Sequence, residues 1–137
     1  MEEMSQIFAE NTAWLKRVVS ERGWPGRRLV GDGGADAAWL IVQHSDDLDF
    51  QRLCLELISA AVEADDVSPS NLAYLTDRVL VREGKRQRYG TQFREGELGM
   101  EPFPIEDAEH VDDRRAAMGL MPLAAYAAGF KSLTWNR

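Results

Sequence analysis

Four residues carry most of the chemistry this sequence offers: His44, Asp46, Asp77 and Arg78. On a helix, Ala37, Leu40, Ile41 and His44 fall on one face, so the imidazole stands at the edge of an apolar stripe, next to the acidic break Ser45-Asp46-Asp47. A helix end favours the imidazolium and apolar burial favours the neutral ring, a setting in which histidine can act as general acid or base. Asp77 or Asp46 would orient it, and Gln43 and Arg78 would hold an anionic or carbonyl group. Tyr74, Asp77 and Arg78 lie on the border of an apolar helical stripe. That is also where a hydrogen-bonded clamp between two elements would sit.

A second cluster is Gln87-Arg88-Tyr89-Gly90-Thr91-Gln92-Phe93. Read as a strand, Gln87, Tyr89, Thr91 and Phe93 share one face, with Arg88 and Gln92 on the other. A face of amide, phenol and hydroxyl suits a pocket wall that hydrogen-bonds a polar ligand. It equally suits a half-buried hairpin whose polar groups satisfy one another.

The elements that must position these groups read as mainly α. The pattern predicts five or six helices packed as a small helical domain with one β-hairpin. The first helix runs from about Glu2 to Arg22, carried by Met4, Ile7, Phe8, Trp14, Leu15, Val18 and Val19, and stops at Gly23-Trp24-Pro25. Gly31-Asp32-Gly33-Gly34 reads as a flexible connection, followed by a helix from about Ala35 to His44. The next two helices cover about Leu48–Ala64 and, after the Ser68-Pro69 start, a segment ending near Glu83-Gly84. Gln87–Phe93 and Leu98–Phe103 would pair across a turn at Arg94–Glu97, with Pro102 and Pro104 restricting the return strand. A helix over about Ala108–Met118 ends at Gly119, and a short last helix runs from Pro122 to about Ala128 before fraying.

Composition sets the class. At 137 residues, 45% hydrophobic and 28% charged, the chain fits a single packed domain over 1–137. A net charge of −7, from 23 acids and 16 bases, opposes nucleic-acid binding. Arg82, Lys85, Arg86, Arg88 and Arg94 nevertheless form a basic strip opposed only by Glu83. The acidic N-terminus lacks the features of a secretory signal, and no apolar run approaches the roughly 20 residues that a membrane span requires. Cys54 is the only cysteine and falls in a core pattern, so a cytoplasmic location without disulfides is expected. No metal site or cofactor is expected, since Asp46, Asp47 and Asp49 also suit the first turn of a helix.

Taken together, Ala38-Trp39-Leu40-Ile41-Val42-Gln43-His44, Asn71–Val79 and Tyr89-Gly90-Thr91-Gln92 resemble the motifs of a bacterial family catalogued only as a domain of unknown function. Pro104–Asp107 and Val111–Arg115 look like that family's closing segment. The resemblance implies no reaction. It implies that the Gln-His, Asp-Arg and Tyr-Gly-Thr-Gln segments belong to one design.

The functional expectation is a small cofactor-independent enzyme doing acid-base chemistry on a polar metabolite or peptide. Its catalytic residues would be His44 as the proton-transfer group with Asp77 or Asp46 orienting it, and its binding residues Gln43, Tyr74, Arg78, Gln87, Tyr89, Thr91 and Gln92. Hydrolysis, cyclisation and isomerisation need the same groups and are not separated by them. The alternative is a non-catalytic ligand- or protein-binding module working through the hairpin.

Overall fold

The computed structural model describes residues 2–135, with side chains over 6–130. Six helices and one antiparallel hairpin make up the described chain: α1 (Glu2–Arg22), α2 (Arg27–Gln43), α3 (Leu48–Glu63), α4 (Pro69–Arg82), β1 (Phe93–Gly96), β2 (Gly99–Pro102), α5 (Val111–Ala117) and α6 (Leu123–Trp135). A single 3-10 turn, Ala108–His110, precedes α5. The mainly α class with one hairpin is therefore as the periodicity predicted. The chain forms two compact units, Met1–Leu75 and Thr76–Arg137, with α4 running through the boundary.

In the first unit, Leu15 of α1, Ala35, Ala38 and Val42 of α2, Phe50, Cys54 and Ile58 of α3, Val67, and Ala73 and Leu75 of α4 form the buried apolar set among the described residues. Asp47 caps α3 by accepting the Phe50 amide at 3.0 Å, and it also pairs with Lys16 of α1. Gln51, fully buried, reaches back to the carbonyls of Val42 and Gln43 at 3.0 and 3.3 Å. It thereby satisfies acceptors that the end of α2 leaves open.

The start of α2 departs from expectation. The helix begins at Arg27 and continues through the glycine-rich segment with one kink at Gly31, where φ is 76°. Gly26 supplies no capping side chain, so Asp66 does the work from beyond α3. Its carboxylate accepts the Arg28 amide at 2.8 Å and its carbonyl accepts the Arg27 amide at 3.0 Å. The arginine side chains add bonds to the carbonyls of Asp65 and Ala64, both at 2.7 Å. A cap lying 38 residues away leaves no mark in the local pattern.

In the second unit the hairpin lies later than the pattern suggested. Gln87–Gln92 is a loop whose strand-like pairing is a parallel bridge from Gln87 to Ile105. The strands pair Phe93 with Pro102 and Gly96 with Gly99. The turn is thus Glu97-Leu98, closed by Gly99 at φ 113°, a conformation open to glycine and strained for other residues. A two-stranded hairpin this short is marginal alone. Here α6 supports it, with Phe93 stacked on Phe130 at 4.5 Å and edge-on to Tyr126 at 5.5 Å. The last helix extends to Trp135 rather than ending near Ala128, and the expected fraying at Asn136-Arg137 lies outside the described residues.

Candidate functional site

The expected residues divide between the two units. Gln43, His44, Asp46 and Tyr74 belong to the first; Asp77, Arg78, Gln87, Tyr89, Thr91 and Gln92 belong to the second.

His44 ends α2, and its ring is exposed. Nδ1 donates to the Leu40 carbonyl at 2.9 Å, and the ring stacks on Phe8 with centroids 5.9 Å apart. The recess it helps to form, about 230 Å³, is otherwise lined by Phe8, Asn11, Leu40 and Ile41. None of these is an acid or a nucleophile. Asp46 is exposed beside it, while Gln43 is buried with Oε1 lacking a hydrogen-bond donor. Tyr74 packs edge-on against Trp39, whose indole N–H bonds the Asn71 carbonyl at 3.0 Å.

The second unit gathers its polar residues tightly. Asp77 is completely buried on α4. One oxygen accepts the amides of Arg88 and Tyr89 at 2.8 and 3.0 Å; the other accepts the amide and hydroxyl of Thr91 at 2.9 and 2.8 Å. Charge-assisted bonds of this kind are roughly twice as strong as neutral ones. Gln87, also fully buried, donates to the carbonyls of Gln92 and Phe103, both at 2.9 Å, and accepts the Gln92 amide at 2.9 Å. Gln92 in turn donates its side-chain amide to the Thr91 hydroxyl at 3.0 Å.

Arg115 completes the set. It has no exposed surface and donates to the carbonyls of Met121, Tyr89 and Gly90 at 2.6, 2.7 and 3.4 Å. Its guanidinium lies over the Tyr126 ring at 5.0 Å, and the Tyr126 hydroxyl bonds the Thr91 carbonyl at 3.0 Å. Gly90, at φ 68°, allows this closeness: a Cβ there would meet Leu123 and Ile105 at 3.0 and 3.1 Å. Asp77, Gln87 and Arg115 thus fasten the two sides of one loop, Gln87–Gln92, which leads directly into β1.

What this cluster can do chemically is hold shape. The oxygens of Asp77 are aimed at backbone donors, and the guanidinium of Arg115 at backbone acceptors. At the far end of the hairpin the surface is different. Leu98 is fully exposed at 105%, Met100 is 39% exposed, and Glu95, Glu97 and Glu101 flank them. Arg94 pairs with Glu101 across the strands at 3.3 Å.

No group of three or more histidine, cysteine or acidic side chains suited to a metal ion occurs among the described residues. No described helix is long and apolar enough to cross a membrane.

The model of a family described as "Family of unknown function (DUF6624)" matches residues 1–132. The chain belongs to that family. No curated protein and no solved structure matches it.

In this DUF6624 chain, the residue that sequence reasoning missed is Arg115. Its signal was present: Val111 and Arg115 stand four apart on α5, which places a charge on the helix's buried stripe. Arg114 was missed as well. It donates to the carbonyls of Arg88 and Glu106, tying the same loop to the segment before α5. Beside it Asp107, at φ 45°, holds His110 Nδ1 at 3.0 Å. Both are exposed, and the pair links the residue before the 3-10 turn to the turn's last residue.

Proposed function

We propose that this chain is a non-catalytic protein-binding module that presents the tip of its hairpin to a partner. The observation that carries the reading is the contrast along one hairpin. Its root is fastened by buried, hydrogen-bonded polar side chains, while Leu98 at its turn is wholly exposed. Turn chemistry does not call for leucine there, since two-residue hairpin loops favour glycine, asparagine and aspartate. A single exposed apolar residue is ordinary on a surface. One mounted on a braced projection between acids is suited to enter an apolar pocket with a basic rim.

Two further features support this reading over acid-base catalysis. Asp77 serves the loop with both oxygens, and His44 directs Nδ1 to a carbonyl of its own helix. The recess beside His44 is lined by Phe8, Asn11, Leu40 and Ile41, none of them an acid or a nucleophile.

The test is site-specific photo-crosslinking in the source cells from position 98, with Glu63 on α3 as the exposed control position. A distinct protein adduct from position 98, absent at position 63, is expected. Adducts that are the same from both positions count against the proposal.

A further inference from the structure

α1 carries more apolar surface than its own unit covers. Among its described side chains only Thr12 and Leu15 are buried. Ile7, Phe8 and Trp14 are left 50%, 40% and 48% exposed. Helices in folded proteins draw most of their stability from packing an apolar face, so apolar side chains left open along one call for a cover.

The open residues are ordered. Ile7, Asn11, Trp14 and Val18 follow one another at steps of four, three and four, the spacing of a seam that packs against another helix. Beside that seam α2 leaves Leu29, Val30 and Leu40 exposed too. Two recesses flank it. One, of about 380 Å³, has Trp14, Val18, Leu29 and Val30 in its walls, and the other, of about 230 Å³, lies at Asn11 and Leu40. A helix of this length spans about 30 Å, and two packed helices are about 20 Å across. The face therefore offers about 600 Å² per copy, at the lower end of standard-size interfaces.

We infer that this face binds a second copy of the chain, α1 against α1 in antiparallel order about a two-fold axis. The charges select that occupant. Glu10 and Arg17 are both exposed and, seven apart, flank the same edge of the seam. In antiparallel order each copy's Glu10 lies beside the partner's Arg17, so the pair forms twice. In parallel order Glu10 would instead face the partner's Leu15, a position that the partner's own core already buries. The recesses agree with the antiparallel order. Ile7 then faces the partner's Val18, and Asn11 faces the partner's Trp14, so each recess receives an apolar side chain of the other copy. Asn11 within the seam lowers affinity and fixes the register.

The experiment is sedimentation velocity of the full chain over about 1–500 µM. A dimer is expected to form as concentration rises, and a chain that stays monomeric throughout overturns the proposal. Trp14→Glu should weaken dimerisation about tenfold or more. Leu53→Glu, at an exposed apolar position of α3, and Leu98→Asp should each stay within about twofold of wild type. Should Trp14→Glu lose its helical circular dichroism, Ile7→Glu carries the comparison. A dimer weakened as much by Leu53→Glu or Leu98→Asp overturns the choice of face. Direction is read from charge. Glu10→Arg and Arg17→Glu each set like charges opposite one another and should weaken self-association about threefold or more. An equimolar mixture of these two variants restores both pairs, so a heterodimer near wild-type affinity is expected. A mixture that associates no more tightly than either variant alone overturns the antiparallel order.

Discussion

Asp77 grips Thr91 twice, accepting its backbone amide at 2.9 Å and its hydroxyl at 2.8 Å through the same carboxylate oxygen. Fourteen residues separate the two, and the bond turns a glycine-containing loop into a fixed mount for the hairpin. Asp77 is thus a structural centre, and its loss should be read first in stability.

Asp77→Ala strips acceptors from three amides and one hydroxyl, those of Thr91 buried and those of Arg88 and Tyr89 partly so. A loss of about 3–5 kcal/mol is expected, because orphaned buried donors cost more than an average hydrogen bond. Urea unfolding of the variant measures it. A loss under about 1 kcal/mol would mean that the clamp is not what holds the loop.

Arg115→Met should cost about 2–4 kcal/mol. The methionine fills much of the volume but leaves the carbonyls of Met121, Tyr89 and Gly90 without their donor. Hydrogen exchange should also speed up at Thr91 and Gln92, whose amides Asp77 and Gln87 protect. Unchanged exchange there would separate Arg115 from the mount.

Asp47 gives the chain a pH-dependent element. The hydrogen bond from Lys16, then that from the Phe50 amide, hold its carboxyl below the ordinary value of 3.8. With the folded value lowered, the contribution is present above pH 3.8 and is lost as pH falls through the folded value. Asp47→Ala should therefore cost about 1 kcal/mol at neutral pH, as a lost helix cap, and progressively less in acid below that value. A penalty that is the same at both ends of the range contradicts the assignment.

Cys54 should be silent toward thiol reagents. Burial pushes its thiol up to about 12, and none of its surface is exposed. A disulfide-exchange reagent at pH 8 should label it only at the rate of unfolding, and fully in denaturant. Rapid labelling of the native protein would show that α3 opens locally.

Much of this architecture is legible in the sequence where the signal is local. The 3.6-residue stripe of α1, the Asp47 cap of α3 and the Ser68-Pro69 start of α4 each lie within a few residues of what they determine. The start of α2 was not legible, because Asp66 caps it from 38 residues away. The hairpin register slipped for a related reason. Tyr89 and Thr91 have strand-like side chains, but their backbone is claimed by Asp77, Arg115 and Tyr126 instead of a partner strand. For the candidate site, spacing set Asp77 beside Tyr74 and Arg78 and set Gln87, Thr91 and Gln92 in a separate cluster. The hydrogen bonds from Thr91 to Asp77 and between Gln87 and Gln92 were not visible in spacing. Their use as a brace depends on what each oxygen and nitrogen faces, which spacing does not encode. Arg115 was legible only as the end of the Val111–Arg115 segment, and its complete burial is what gives it a role.

The central claim is that the braced hairpin acts through its tip, and Leu98→Asp tests it most directly. The measurement is the affinity for the protein recovered by crosslinking, compared among wild type, Leu98→Asp and His44→Ala. Leu98→Asp should stay folded, with stability within about 0.5 kcal/mol of wild type, since it changes a fully exposed position. Its affinity should drop by about 30-fold, the loss of one anchor worth roughly 2 kcal/mol, while His44→Ala binds as wild type does. Undiminished binding by Leu98→Asp, or loss of binding in His44→Ala alone, would contradict the claim.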